Sequence, residues 1–149
     1  MAKFSVNLSI RSTELFSNQD VVVSESDTLT AGGDVVGYGK MVVPSGNAHD
    51  QTLPVNVTDS FSAKAYVYLK HTGFDGDGST ATSLNILVFN SASTKVQFAT
   101  LAPGEFMILP YVGGGDFTDI NVCTSDATVK ASGVSTDQAT LEYFFVEAA

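Results

Sequence analysis

The alternation of apolar and polar residues with a period of two is the strongest signal in the chain. It begins in residues 3–10, where four apolar side chains alternate with serine and asparagine: Phe4, Val6, Leu8 and Ile10. Runs rich in β-branched and aromatic residues follow at 21–23, 35–43, 53–57, 63–69, 84–89, 96–101, 106–109, 117–122, 127–131 and 140–146. Because successive side chains of a strand point to opposite faces, these runs predict a series of short strands.

Residues typical of tight turns separate the strand signals. The turn segments are GGD from Gly32, PSGN from Pro44, DGDG from Asp75, NSAS from Asn90, APGE from Ala102, GGGD from Gly113 and SGVSTD from Ser132. No segment carries an apolar stripe at helical spacing, and residues 13–19 could form one helical turn at most. The sequence therefore predicts an all-β protein, an antiparallel β-sandwich of about ten strands, with residues 1–149 as one domain. A jelly roll is favoured, because strands and turns follow each other evenly and the immunoglobulin pattern of cysteine and tryptophan is absent.

Composition narrows the range of partners. The 149 residues carry a net charge of -9, and the seven basic residues are scattered singly, which argues against nucleic acid as a partner. Charged residues make up only 15% of the chain and hydrophobic residues 44%, so the surface is weakly charged and suits contact with another protein. Cys123 is the single cysteine, which excludes an internal disulfide. We expect no secretory leader and no membrane span, because no apolar run reaches the required length.

The stretch TGFDGDGS at residues 72–79 is the best candidate for a metal site. Asp75 and Asp77 could be calcium ligands, but an EF-hand needs a further oxygen ligand at the fifth position and a glutamate at the twelfth, between helices. Here Ser79 follows, no glutamate stands at the right distance, and strands flank the loop. The pattern therefore favours a solvated turn with glycines at positive φ, while a looser calcium site stays open.

Catalytic signals are few. His49 beside Asp50 could act as an oriented base, and Cys123 could be a nucleophile, but no activating partner accompanies either. Solvated loop residues and a buried, inert thiol are the simpler interpretations, and His71 at a strand end would need a distant partner to bind metal. GYGK at 37–40 and GGGD at 113–116 lack the remaining residues of nucleotide-binding loops. We expect no catalytic residues, no cofactor and no enzymatic activity.

Most aromatic residues fall inside strand patterns, where core packing would explain them: Phe61, Tyr66, Tyr68, Phe89, Phe98, Phe106 and Phe144. Tyr111 and Phe117 flank the GGGD turn instead and are candidates for an exposed contact with a partner. Such residues could also stack on a sugar ring, which keeps a carbohydrate-binding module as an alternative function.

The C-terminal third has the most distinctive order of segments. LAPGEFMILP places a Pro-Gly turn before an apolar strand, FTDINVCTSDATVKASG adds two strands, and QATLEYFFVEAA ends the chain. This order resembles small all-β virion proteins of tailed bacteriophages, particularly those of marine cyanophages. The resemblance covers residues 99–147, and the N-terminal half shares only the general style.

The resemblance implies a structural subunit of a virion, a capsid decoration (cement) protein first and a neck, tail or fibre component second. It implies a homo-oligomer that binds the major capsid protein or another virion protein, made in the host cytoplasm and located in the virion. Cyclic symmetry is usual for such subunits, and we expect a trimer. Residues 21–43 and the terminal strands are candidates for subunit contacts, because open sheets leave edges that must be covered or paired.

Overall fold

The computed structural model describes residues 3–16, 19–43, 51–52, 64–74, 82–90, 95–112, 117–124 and 139–148. Within these ranges every regular element is a strand, which confirms the all-β prediction. The strands are β1 (Lys3–Phe16), β2 (Gln19–Val43), β3 (Gln51–Thr52), β4 (Lys64–His71), β5 (Leu84–Asn90), β6 (Lys95–Leu101), β7 (Phe106–Val112), β8 (Phe117–Thr124) and β9 (Ala139–Ala148). The strand signals at 53–57 and 127–131 lie outside the described residues.

The strands form two sheets in which every pairing is antiparallel. One sheet has the order β1-β2-β9-β4-β7, and the other has the order β3-β8-β5-β6. The pairs are nested: β2 pairs with β9, β3 with β8, β4 with β7 and β5 with β6. Strands β6 to β9 thus pair with β5 to β2 in reverse order, so that segments distant in sequence become neighbours.

The core lies between the two sheets, as the sandwich prediction requires. In β4, Ala65, Val67 and Leu69 are fully or almost fully buried and alternate with residues that face away from the core. Strands β5, β6 and β8 supply the facing layer with Leu84, Ile86, Leu101, Ile120 and Val122. Removal of these side chains from water is the main source of stability in such a sandwich.

Two glycines of β2 make room for aromatic rings of β9. Gly37 pairs with Phe145 and Gly39 with Tyr143, and a Cβ atom at either glycine would overlap the opposite ring. The two rings stack nearly parallel with their centroids 6.2 Å apart. The GYGK segment therefore belongs to a regular strand, where the missing side chains let large rings fill the core.

One local prediction near the N-terminus was wrong. The GGD segment at Gly32 lies inside β2 as a strand irregularity: Ala31 pairs with Ala148 and Val36 with Val146, so β2 holds more residues than β9 over this span. The extra residues interrupt the regular pairing without ending the strand, as β-bulges do. The helical turn allowed at 13–19 is replaced by the end of β1 and the start of β2, because Phe16 pairs with Gln19 and closes a hairpin.

The predicted APGE turn is confirmed. Glu105 donates its backbone N–H to the Ala102 carbonyl oxygen at 3.0 Å, and Gly104 has a φ of 88°. Proline at the second position and a glycine of positive φ at the third are the residues that a type II turn requires. The Glu105 carboxylate also accepts a hydrogen bond from the Ala102 backbone N–H at 2.8 Å, which holds the turn that leads from one sheet to the other.

Candidate interaction surface

The side of the five-stranded sheet that faces away from the core is largely apolar. Strand register places four large side chains in one row across this side, since Tyr38 pairs with Phe144, Phe144 with Tyr68, and Tyr68 with Ile108. Tyr38 is 66% exposed and Ile108 43%. Phe106, in the next row, is 62% exposed and lies with its ring centroid 6.1 Å from that of Tyr68. We call this surface the outer face.

A groove of about 310 Å³ opens on the outer face. Its walls are formed by five aromatic residues and one aliphatic residue: Phe4, Tyr38, Tyr66, Tyr68, Phe144 and Ile108. This volume is at the small end of the range for ligand pockets, about 300 to 1,000 Å³. A groove with such walls suits an apolar or aromatic occupant.

Lysine and glutamate border the aromatic row. Lys40 and Glu142 form a cross-strand ion pair with 3.6 Å between Nζ and Oε2, and Lys70 lies on the other side of Glu142 in the strand register. Exposed pairs of this kind contribute little stability, about 0 to 1 kcal/mol. Lys40 and Lys70 nevertheless place two of the seven basic residues of this acidic chain on the outer face.

Tyr68 has an altered acidity on this surface. Burial raises the pKa of its hydroxyl above the ordinary value, and the negative charge of Glu142 and the neighbouring Tyr38 raise the pKa further. A raised pKa in the folded state means that the stabilising contribution of Tyr68 is present below the unfolded value of about 10 and is lost as the pH rises through the folded value.

We therefore expect Tyr68 to form phenolate at higher pH than an ordinary tyrosine. The difference in alkaline absorbance between the wild type and Tyr68→Phe isolates this one hydroxyl. Glu142→Gln removes one of the charges that oppose ionisation and should lower the pKa of Tyr68. A pKa of Tyr68 at or below that of an ordinary tyrosine would contradict the environment assigned to it. So would a pKa that Glu142→Gln leaves unchanged.

Strand β1 and the first half of β2, residues 3–16 and 19–30, form a long two-stranded ribbon that we call the arm. Its register puts apolar residues on one side, where Leu8 pairs with Glu25 and Ile10 with Val23. The opposite side is polar over residues 5–9 and 24–28, with serine opposite threonine, asparagine or serine, and the hydroxyl oxygens of Ser5 and Thr28 lie 3.3 Å apart. The arm is thus amphipathic across its thickness, as the first strand pattern predicted.

The foot of the arm packs on the outer face of its own chain. The Phe4 ring lies 4.9 Å from the Phe144 ring and 6.4 Å from the Tyr66 ring between centroids. The Tyr66 hydroxyl donates a hydrogen bond to Asp27, two residue pairs further along the arm than Phe4. Leu29 of the arm and Val146 of β9 are also buried, and both lie outside the main core.

Beyond its foot the apolar side of the arm is open to solvent. Leu8 and Ile10 are each 49% exposed, and neither lines the groove. Val23, opposite Ile10, is 37% exposed. Aliphatic side chains in a row on an exposed ribbon are a mark of a surface that another protein covers.

Two large apolar side chains of β6, in the other sheet, are also exposed. Val96 and Phe98 are 43% and 48% exposed, and β6 is the last strand in the order of that sheet. These two residues are separate from the outer face, which belongs to the five-stranded sheet. Apolar side chains on an edge strand invite pairing or coverage by another chain.

The structure places the predicted contact residues Tyr111 and Phe117 in different sheets, at the end of β7 and the start of β8. Their side chains lie outside the described part of the structure, and their role as a contact stays a prediction. The candidate calcium ligands Asp75 and Asp77, and the pair His49 and Asp50, also lie outside the described residues.

His71 is a structural residue. It is fully buried, its Nε2–H donates to the Thr82 carbonyl oxygen at 2.6 Å, and its Nδ1 accepts from the Gly73 backbone N–H at 3.1 Å. Gly73 has a φ of 93°, as the turn prediction required of it. Nε2 therefore ties the end of β4 to the segment before β5, and Nδ1 holds the turn that directly follows β4.

Cys123 has the buried position that the sequence predicted, with 2% of its surface exposed. Within the described ranges no group of three or more His, Cys, Asp or Glu side chains could hold a metal ion. None of the residues described here forms a helix long and apolar enough to cross a membrane.

The aromatic residues are where the sequence interpretation was wrong. Tyr66, Tyr68 and Phe106 were expected in the core and lie on the outer face, and Phe98 is exposed on β6. The sequence pattern of β4 does not show which face is buried, because aliphatic residues occupy one face and tyrosines the other. One signal could have found them: small side chains fit between two close sheets, and tyrosines suit a surface where the hydroxyl reaches solvent.

Comparison of the chain with protein-family models, with curated proteins and with solved structures finds no match.

Proposed function

We propose that this protein is a non-enzymatic structural subunit of a tailed-phage virion, first of all a capsid decoration protein that assembles with itself and with the shell. The virion context rests on the sequence resemblance of residues 99–147. The structural part of the proposal rests on the apolar surfaces of the folded chain. A neck, tail or fibre component would use the same surfaces.

The observation that carries the proposal is the presence of two separate apolar surfaces. The arm and the outer face form one, and the edge strand β6, with exposed Val96 and Phe98, provides the other. A decoration subunit must contact its own copies and the shell at the same time, so it needs at least two surfaces that proteins can cover. Exposed apolar patches rimmed by polar residues are typical of such interfaces.

The strand order supports the same proposal. We propose that the sandwich is a jelly roll, because β2 to β9 pair in the nested order that results when one long hairpin is rolled into two sheets. Jelly rolls are frequent in viral capsid proteins. The partners that follow are a second copy of this chain and the major capsid protein, with the virion as the location and a trimer as the expected assembly.

Co-sedimentation with virion shells prepared without this protein tests the proposal. We expect saturable binding that Phe98→Ser weakens about fivefold or more, because truncation of an aromatic interface residue costs about 1 kcal/mol or more. Gln97→Ala changes an exposed polar residue on the same strand and serves as the matched control. Failure of the wild type to sediment with the shells would overturn the decoration function.

A carbohydrate-binding module of a host-recognition appendage is a second candidate, and the groove favours it. Five aromatic rings around one opening could stack on sugar rings. Binding of soluble glycans, measured with the wild type and with Tyr68→Ala, separates this function from the first. Saturable glycan binding that Tyr68→Ala abolishes would place the groove, rather than shell contact, at the centre of the function.

A further inference from the structure

The arm exposes apolar side chains beyond its foot. A two-stranded ribbon is at best marginally stable in water unless a third layer covers its apolar side. The foot has such a cover, since Phe4 packs on Phe144 and Tyr66, whereas Leu8 and Ile10 further out are each 49% exposed. The structure thus calls for an occupant that lies against the apolar side of the arm.

The outer face also exposes large apolar side chains, and these could be covered by an apolar surface such as the arm. The arm of the same chain packs on this face through Phe4, which lies against Tyr66 and Phe144. Tyr38 and Phe106 stay more than 60% exposed, and the groove between the arm and Ile108 stays open. The contact of Phe4 with two rings of this face shows that apolar arm residues and the outer face fit one another.

The charges of the two surfaces are also complementary. The apolar side of the arm carries the carboxylates of Glu25 and Asp27, whereas the outer face carries Lys40 and Lys70 around Glu142. In a chain with a net charge of -9, most pairs of surfaces would repel one another. An arm that reaches a second outer face would instead bring Glu25 toward lysine.

We propose that the arm of one copy lies across the outer face of a second copy, with Leu8 and Ile10 over the groove beside Tyr38. This inference rests on the proposed assembly of the chain and names the surface that performs it. The contact joins two different surfaces, and with a rotation that closes, as in a trimer, it forms a ring in which every arm and every outer face is covered. Such a ring removes the exposed aliphatic row and the exposed aromatic row together.

Complementation between two defective variants tests this contact. Ile10→Lys places a charge on the apolar side of the arm and leaves the outer face intact, while Tyr38→Lys does the reverse. Both side chains are about half exposed or more in the single chain, so neither change should alter its thermal unfolding. Ser9→Lys puts the same charge on the polar side of the arm and is the matched control.

We expect each of the two variants to remain at the 15.6 kDa mass of one chain at concentrations where the wild type and Ser9→Lys are assembled. The expected loss of affinity is roughly 30-fold or more, the effect of losing an interface hot spot of about 2 kcal/mol. An equimolar mixture should recover a complex of twice that mass, because the intact arm of Tyr38→Lys can bind the intact outer face of Ile10→Lys.

Other outcomes overturn the inference and separate its failure from that of the proposed function. If the wild type assembles and both variants assemble equally well, the arm contact is wrong and another surface, such as β6, joins the copies. If each variant is a single chain but their mixture stays so, the arm and outer face do not bind one another. If wild-type chains bind shells but never one another, the inference fails while the shell function stands.

Discussion

Replacement of His71 by alanine is expected to lower the free energy of unfolding by about 3 to 5 kcal/mol. The ring is fully buried, and its two nitrogens bond the Thr82 carbonyl oxygen and the Gly73 backbone N–H. Alanine removes the ring, leaves a cavity at the end of β4, and leaves both backbone groups without these bonds. A buried backbone group without a partner costs about 1 to 3 kcal/mol, and the cavity adds to this cost.

Urea unfolding followed by circular dichroism measures the effect of His71→Ala. The midpoint should fall while the slope with urea concentration stays unchanged, since the same surface is exposed on unfolding. Lys70→Ala is the matched control, because Lys70 is the adjacent residue of β4 and faces away from the core. A loss below about 1 kcal/mol for His71→Ala would mean that the two hydrogen bonds do not hold this corner of the fold.

Gly37→Ala is expected to destabilise the protein by about 1 to 3 kcal/mol, although alanine is a small residue. Its Cβ would overlap the Phe145 ring, which belongs to the core and cannot turn away without disturbing its neighbours. Gly39→Ala meets the hydroxyl end of Tyr143, which can move more easily, so its cost should be smaller. We therefore expect Gly37→Ala to lower the free energy of unfolding more than Gly39→Ala does.

A double-mutant cycle identifies the cause. In the Phe145→Leu background the obstructing ring is shortened, so Gly37→Ala should cost much less than in the wild type. Residues in direct contact typically show interaction energies of about 0.5 to 3 kcal/mol in such cycles. Additive costs would show that the glycine is required for some reason other than the space it leaves for Phe145.

The strands were largely predictable from sequence because a period of two is a local property of the chain. The faces were not, and β4 shows why. Its apolar residues occupy both alternating sets, with Ala65, Val67 and Leu69 in one and Tyr66 and Tyr68 in the other. Which set faces the second sheet depends on the volume available between sheets, and this is decided by residues of β5 and β9 that are distant in sequence.

The arm illustrates a second limit of sequence interpretation. The alternation in residues 3–10 correctly predicts one apolar side, but nothing local says that this side continues past the body of the fold. The GGD segment at Gly32 reads as a turn, because glycines and aspartate favour turns. In the structure the pairing of Ala31 with Ala148 and of Val36 with Val146 keeps this segment within β2. Long-range pairing with β9 thus overrides a local turn preference.

The exposed aromatic surface of the five-stranded sheet was not among the contact residues chosen from the sequence. A weakly charged surface and candidate aromatic contacts indicated a protein partner, and residues 21–43 were named as a contact region that includes half of the arm. Tyr111 and Phe117 were chosen because they flank a loop, whereas the described aromatic surface is built from strand residues such as Tyr38 and Phe106. Exposure of a strand residue depends on whether another layer covers it, which the chain alone does not reveal.

The mass of the wild-type protein in solution, measured by light scattering over a range of concentrations, tests self-assembly most directly. We expect a discrete oligomer whose mass is a multiple of 15.6 kDa, with a trimer as the expected size. The mass should not change when a calcium chelator is added, because the assembly rests on apolar contacts and Asp75 and Asp77 are expected to form only a turn. A mass of 15.6 kDa at every concentration would contradict the assembly of this chain with itself.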